Sequence, residues 1–232
     1  MTNMNSGAAL KGSRSYLQHC IDNSEDKLSQ MILAVSPSLL SYIDDKSKIE
    51  WKSPLKKDDF YEYRDDFLKV LGLDEATYVE KMKKLREFWP KNGPQWDGLA
   101  VVNGNNGEVG LLLVEAKAHL NEIKADLRAG SQISIDLIKG SMKIAQEHYG
   151  IDDVDWTKHY YQLGNRIAFL YFMNEILHIP TWLVLINFAE GDYKTTSIEQ
   201  WLTHYHKVYV QMGIKHNDDR LLNKVIQIFP NV

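Results

Sequence analysis

Three consecutive stretches decide how this chain reads: Trp96-Asp97-Gly98-Leu99-Ala100-Val101-Val102, the linker Asn103-Gly104-Asn105-Asn106-Gly107, and Val109 to Leu113 leading into Val114-Glu115-Ala116-Lys117. Asn-Gly between two strand-like apolar runs is the strongest short-range signal of a β-hairpin. A hairpin centred near Asn106 sets Asp97 opposite Glu115. Side chains alternate faces along a strand, so Glu115 and Lys117 share a face and Ala116 points away. Directly paired residues also share a face. The pattern therefore predicts that Asp97, Glu115 and Lys117 converge on one spot.

Leu111-Leu112-Leu113-Val114 is apolar on both faces, as in a central strand covered on both sides. Two carboxylates and an ammonium at its end are partly desolvated, and such charges persist only when paired or bound to metal. Neighbouring carboxylates repel, and a divalent cation relieves the repulsion by taking both as ligands. Magnesium suits such a pair because it keeps several waters and completes its shell with phosphate oxygens. Lys117 is then placed to orient a water and to offset charge developing on phosphorus. The alternative is a structural ion pair between Lys117 and one carboxylate, which leaves the second acid without a role. Glu-x-Lys alone arises by chance in many proteins. The signal lies in its combination with the upstream aspartate, the hairpin spacing and the apolar strand.

At these residues the chain resembles the PD-(D/E)XK nuclease superfamily, the fold of many restriction endonucleases and DNA-repair nucleases. More narrowly, Phe88-Trp89-Pro90-Lys91-Asn92-Gly93-Pro94-Gln95-Trp96-Asp97 with Leu113-Val114-Glu115-Ala116-Lys117-Ala118-His119 is similar to an uncharacterised bacterial family within it. The similarity continues through Tyr160-Tyr161-Gln162-Leu163-Gly164-Asn165-Arg166 and Pro180-Thr181-Trp182-Leu183-Val184, and so spans residues 88 to 190. Asp97, Glu115 and Lys117 match the superfamily's three-residue core one for one, while Trp96 stands where a proline often precedes the aspartate. The resemblance implies a restriction-endonuclease-like mixed β-sheet flanked by helices. It also implies Mg2+, with Mn2+ as a substitute, on Asp97 and Glu115, and hydrolysis of phosphodiester bonds in DNA ahead of RNA.

Gln162, Asn165 and Arg166 fall at i, i+3 and i+4, which groups them on one helix face away from an apolar stripe. The resemblance implies a polar, substrate-binding motif near the metal there, with Arg166 clamping a phosphate and Gln162 bonding a nucleotide or a ligating carboxylate. The alternative is a solvated helix face. Two lesser candidates are Glu50 and His119. Related nucleases often supply an upstream acid from an N-terminal helix, but Ile49 and Pro54 make a helix around Glu50 doubtful. His119 has the strand parity of Lys117, in reach of substrate or a metal's water, but a histidine just beyond a strand is more often a solvated or hydrogen-bonded structural residue. His204-Tyr205-His206 puts two imidazoles on different helix faces, which argues against zinc. No phosphate-binding Gly-Lys-Ser/Thr loop and no Gly-x-Ser-x-Gly elbow occurs. The tyrosines and tryptophans read mostly as core.

The 232 residues read as one α/β domain, since no Pro/Gly/Ser-rich linker divides them. Residues 1–12 look frayed, 13–90 form a mainly helical N-terminal portion, and 95–232 hold the sheet core. Helices are expected from Asn23-Ser24 through Ala34, over Asp58–Leu71, Asp74–Phe88, Asn121–Arg128, Ser134–Tyr149 and Trp156–Leu177, and from a capping box at Ser197-Ile198-Glu199-Gln200 to Met212. Strands are expected over Thr181–Phe188 and Val225–Phe229. Composition is ordinary for a globular chain at 44% hydrophobic and 25% charged residues, which supplies a sizeable core. No apolar run reaches the ~18 residues of a membrane span. Cys20 is the only cysteine, so no intrachain disulfide forms, and a cytoplasmic location is favoured.

A net charge of −4 argues against a broadly basic nucleic-acid coat but leaves room for local basic contacts. Two clusters, Lys46, Lys48, Lys52, Lys56, Lys57 and Lys81, Lys83, Lys84, Arg86, Lys91, read as solvated faces. Three functions compete: a magnesium-dependent nuclease, a catalytically silent nuclease-fold module binding nucleic acid or a protein partner, and an unrelated metabolic enzyme holding a metal on Asp97 and Glu115. A binding module has no physical need for both acids and Lys117 together, which favours the first.

Overall fold

The Asn/Gly linker closes the hairpin it forecasts. In the computed structural model, which describes residues 6–44, 47–152, 154–192, 194–215 and 219–231, β2 (Gly98–Asn103) and β3 (Val109–Lys117) pair antiparallel. Gly98 faces Val114 and Asn103 faces Val109, the register centred on Asn106. The turn is held by Gly107 N–H to Gly104 O (2.9 Å) and Gly104 N–H to Glu108 O (2.8 Å). Gly107 takes φ +80, a conformation that side-chain-bearing residues rarely adopt.

The apolar β3 is the hub of a five-stranded mixed sheet, ordered β1-β2-β3-β4-β5. β1 (Glu50–Ser53) runs antiparallel to β2, whereas β4 (Thr181–Asn187) runs parallel to β3 and β5 (Val225–Ile228) parallel to β4. Every residue of β4 is buried, and so is all of β3 after Val109, as the unbroken apolar runs require. One sheet face carries Leu99, Leu111, Leu113, Leu183 and Leu185. It packs under α3 (Glu75–Phe88), α4 (Gln132–Tyr149), α5 (Tyr161–Tyr171) and α6 (Ile198–Gln211). The opposite face, with Ala100, Val102, Leu112, Val114, Trp182 and Val184, packs against α1 (Gly12–Ala34) and α2 (Pro37–Tyr42). The chain is thus α/β, with the sheet between two helical layers. No helix among the described residues is long and apolar enough to cross a membrane. All six tryptophans are buried, as the core reading expects.

The helix start expected at Asp74, the helix end expected at Tyr149 and the capping box at Ser197 are each secured by a cap. Asp74 caps α3 by accepting from Thr77 N–H, Gly150 closes α4, and Ser197 with Gln200 forms the capping box of α6. The helix start expected at Asn23-Ser24 is a kink within α1, where Ser24 leaves helical geometry (φ −154, ψ 37). Helix also precedes that kink from Gly12. Residues 7–9 are tied down too, Gly7 N–H donating to Asp59 O and Ala9 N–H to Gln18 Oε1, so this part of the expected frayed end is ordered. Residues 1–5 of that end lie outside the described residues, as does Lys46 of the first lysine cluster.

Four expectations are corrected. The N-terminal portion contributes β1 to the sheet, because Ile49 and Trp51 alternate with Glu50 and Lys52 in the period of an edge strand. Asp58–Leu71 is not a helix. It makes short 3-10 turns at Lys56–Asp58 and Phe67–Leu71 around left-handed Asp59 and Phe60. Here Tyr63 O accepts from Trp96 N–H (2.9 Å), and Glu62 and Arg64 bond Gln95, so the segment is a strap fastened to the loop before β2. Asn121–Arg128 keeps only a turn at Leu120–Glu122. Its remaining backbone pairs with residues 157–161 (Ala125 N–H to His159 O, Leu127 N–H to Thr157 O, Tyr161 N–H to Ala125 O). The same pairing removes Trp156–Tyr160 from the long helix expected there. That helix begins at Tyr161 and passes into a π turn over Phe172–Ile176.

Candidate active site

Because β3 is covered on both faces, the polar side chains that follow Val114 can only gather where the strand runs out. Asp97 directly precedes β2. Its Oδ2 accepts from Ala116 N–H at 2.8 Å, which places the carboxylate beside Glu115 and Lys117 as the register demands. Its other oxygen accepts no hydrogen bond from the described residues. Burial, and then the Glu115 charge, push the Asp97 carboxyl up from 3.8 to about 7.

Glu115 is buried and held by two cations. Arg166 Nε donates to its Oε2 at 2.7 Å, and Lys117 Nζ donates to its Oε1. Burial alone raises the Glu115 carboxyl, but Arg166 and Lys117 outweigh it and hold the group below its ordinary range. Lys117 Nζ also donates to Gln162 Oε1 at 2.9 Å. Two neighbouring carboxylates are thus set in opposite states, Asp97 ready to hold a proton near neutrality and Glu115 ionised.

The helix face expected to hold Gln162, Asn165 and Arg166 does turn toward the acids, but it is not a solvated face. Arg166 is 2% exposed and Asn165 5%. Arg166 donates to Gln95 O (2.7 Å) and Asn165 Oδ1 (2.9 Å), and its guanidinium lies 4.5 Å from the centre of the Trp96 ring. Gln162 and Arg166 therefore grip Lys117 and Glu115 themselves, and Asn165 braces Arg166.

Of the two lesser candidates, Glu50 lies exposed on the edge strand, ion-paired with Lys52 and opposite Val101. Val101 sits four residues along β2 from Asp97, about 13 Å at the usual strand rise, so Glu50 is not brought to the site. His119 Nε2 lies 3.2 Å from Glu122 Oε1, while Glu122 Oε2 accepts from Ala118 N–H, which ties the histidine into the turn after β3.

The acid that the fold does bring in is Glu62. It is 2% exposed, paired with Arg14 (2.6 Å) and bonded by Gln95 Nε2. Burial raises its carboxyl, Gln95 and Arg14 pull it down, and the Glu115 charge raises it again, which places the two acids within electrostatic reach. Gln95 links the cluster: its Oε1 accepts from Arg64 while its main-chain oxygen accepts from Arg166. Nothing in the spacing of Tyr61-Glu62-Tyr63 marks it as a partner of Asp97, and only the strap's path reveals it. On the floor, Asn187 stands beside Lys117 on β4 and accepts from Tyr205 O–H at 2.9 Å.

Among the described residues no group of three or more His, Cys, Asp or Glu side chains is arranged to hold a metal. A pair of carboxylates is what magnesium takes from a protein when waters and phosphate oxygens supply the rest. The free Asp97 oxygen and the raised Asp97 carboxyl fit such an ion, since a cation there offsets the repulsion from Glu115. Compared with protein-family models, with curated proteins and with solved structures, the chain finds no match.

Proposed function

We propose that this chain is a magnesium-dependent nuclease with a restriction-endonuclease-like fold, hydrolysing phosphodiester bonds in DNA ahead of RNA. The observation that carries the reading is the convergence of Asp97, Glu115 and Lys117 at one end of β3, where the ammonium bonds one carboxylate and both charges act on the other. Asp97 and Glu115 would hold the ion, with Glu62 close by. The metal supplies Lewis acidity toward the scissile phosphate and lowers the pKa of a bound water. Lys117, kept in place by Gln162, positions water and offsets negative charge, so it matters for turnover more than for metal affinity. Arg166 fixes the Glu115 carboxylate and thereby the geometry of the pair. The test is incubation of purified protein with plasmid, linear and single-stranded DNA and with RNA, each with magnesium or manganese. Cleavage by the wild type that Lys117→Ala and Asp97→Ala both lose is the expected result. Failure to cleave any substrate overturns the reading.

One observation favours a second reading. Both Glu115 oxygens already meet cations of the chain itself, which is how a catalytically silent nuclease-fold module would neutralise the site without metal. Nucleic-acid binding indifferent to magnesium, with no cleavage, selects that alternative.

A further inference from the structure

Between the Trp89–Gln95 loop and the 124–130 segment lies a cleft of about 760 Å3. Gln162 and Arg166, the side chains that hold Lys117 and Glu115, are among the residues that line it. Lys91, Lys124 and Arg128 are exposed along it, and Arg64 is half-buried in its wall. Asp126 is the only acid lining it among the described residues, and one of its oxygens already accepts from His159 N–H. On a chain of net charge −4, this is a local concentration of positive charge, separated from Glu115 and Lys117 by the Arg166 and Gln162 side chains that bond them.

The size of the cleft restricts what it can hold. A cleft in the range of about 300–1,000 Å3 encloses a ligand of small-molecule size, roughly one or two nucleotides of a single strand, whereas a duplex could only lie across its mouth. Tyr161, half-buried at the start of α5, also lines it and offers a ring to a base that is already unstacked. Resting on the nuclease reading above, we propose that the substrate is single-stranded DNA or a single-stranded end. Its phosphates run along Lys91, Lys124 and Arg128, one base lies against Tyr161, and the strand reaches the acid pair past Gln162 and Arg166.

The test is binding of a short labelled single strand and of a blunt duplex of the same sequence to the full chain in EDTA. Fluorescence anisotropy is read between about 50 and 200 mM salt. Single strands release about 0.7 counterion per phosphate contact, so the exposed pair Lys91→Ala/Arg128→Ala should flatten the slope of log K against log salt by about 1.4. The same variant should weaken binding at least about tenfold at low salt. Tyr161→Ala should cost about tenfold and Tyr161→Phe nothing, since every base stacks on a ring. The duplex should bind more weakly than the single strand, with no dependence on Tyr161. Unchanged affinity and slope in the double variant, tighter binding of the duplex, or equal displacement of the strand by polyglutamate overturns the proposal. Because the readout needs no cleavage, the two ideas fail separately. Binding as expected without hydrolysis under magnesium removes only the nuclease reading, and cleavage indifferent to Lys91, Arg128 and Tyr161 removes only the cleft.

Discussion

Replacing Asp97 by asparagine should stabilise the metal-free protein, increasingly so as pH rises from about 4 to about 7. Folded, Asp97 holds its proton up to about pH 7, whereas an ordinary aspartate releases it near 3.8. Between those values the folded state binds more protons than the unfolded chain, so rising pH favours unfolding, and above about 7 the penalty is constant. At about 1.4 kcal/mol per pH unit the full displacement is worth on the order of 4 kcal/mol. Asp97 is only half-buried, and solvent screening brings the expected gain to about 2–4 kcal/mol. Asparagine is neutral at every pH and keeps an oxygen to accept from Ala116 N–H. Urea unfolding of both proteins in EDTA, at intervals from pH 4 to 9, should show similar stability at the acid end. The gap should open through the window from about 4 to about 7, with the variant the more stable. For a chain of this length it corresponds to about 4–16 °C in Tm. Saturating magnesium should raise the wild type and leave Asp97→Asn unmoved, since a ligand stabilises only the state that binds it. A gap that does not change with pH would refute the assignment of a raised pKa to Asp97.

Calorimetric titration with magnesium and with manganese should show binding that vanishes in Asp97→Ala and in Glu115→Ala and persists in Lys117→Ala. Arg166→Ala leaves the buried Glu115 carboxylate with Lys117 as its one cation and should cost up to about 3–5 kcal/mol in chemical denaturation. Arg166→Lys should recover only part, because a lone ammonium cannot serve Glu115, Gln95 O and Asn165 together. Gly110→Ala places a Cβ 2.9 Å from the Tyr42 ring, 3.0 Å from Val102 and 3.1 Å from Trp182. It should destabilise by about 1–3 kcal/mol, measured by tryptophan fluorescence in urea; a neutral result would mean that Tyr42 swings aside freely.

The elements legible from the sequence are those whose signal is local. The hairpin register followed from Asn106-Gly107 and two apolar runs, and with it came the adjacency of Asp97, Glu115 and Lys117. The caps at Asp74, Gly150 and Ser197 were equally readable, because a cap is a bond between residues at most four apart. The misread segments are those whose backbone partners lie elsewhere. Asp58–Leu71 carries acids and apolar residues at helical spacing, yet Tyr63 O, Glu62 and Arg64 bond the loop at Gln95-Trp96. Asn121–Arg128 and Trp156–Tyr160 were each read as helix, and each gives its backbone groups to the other.

The candidate site divides in the same way. Alternation along one strand and pairing across one turn are short-range rules, so the sequence by itself determined which acids and which lysine meet, and on which side of the sheet. Which cation faces which carboxylate was decided by tertiary structure. Arg166 reaches Glu115 only because α5 starts at Tyr161 and packs Leu163, Ile167 and Leu170 onto the sheet. Glu62 joins the cluster only because the strap crosses the sheet end and is fastened by Arg14 and Gln95. Those contacts close loops of 51 residues between Glu115 and Arg166 and 33 between Glu62 and Gln95. Over such separations no periodicity or spacing in the chain specifies a partner, and the packing of apolar faces alone sets which charges are buried together.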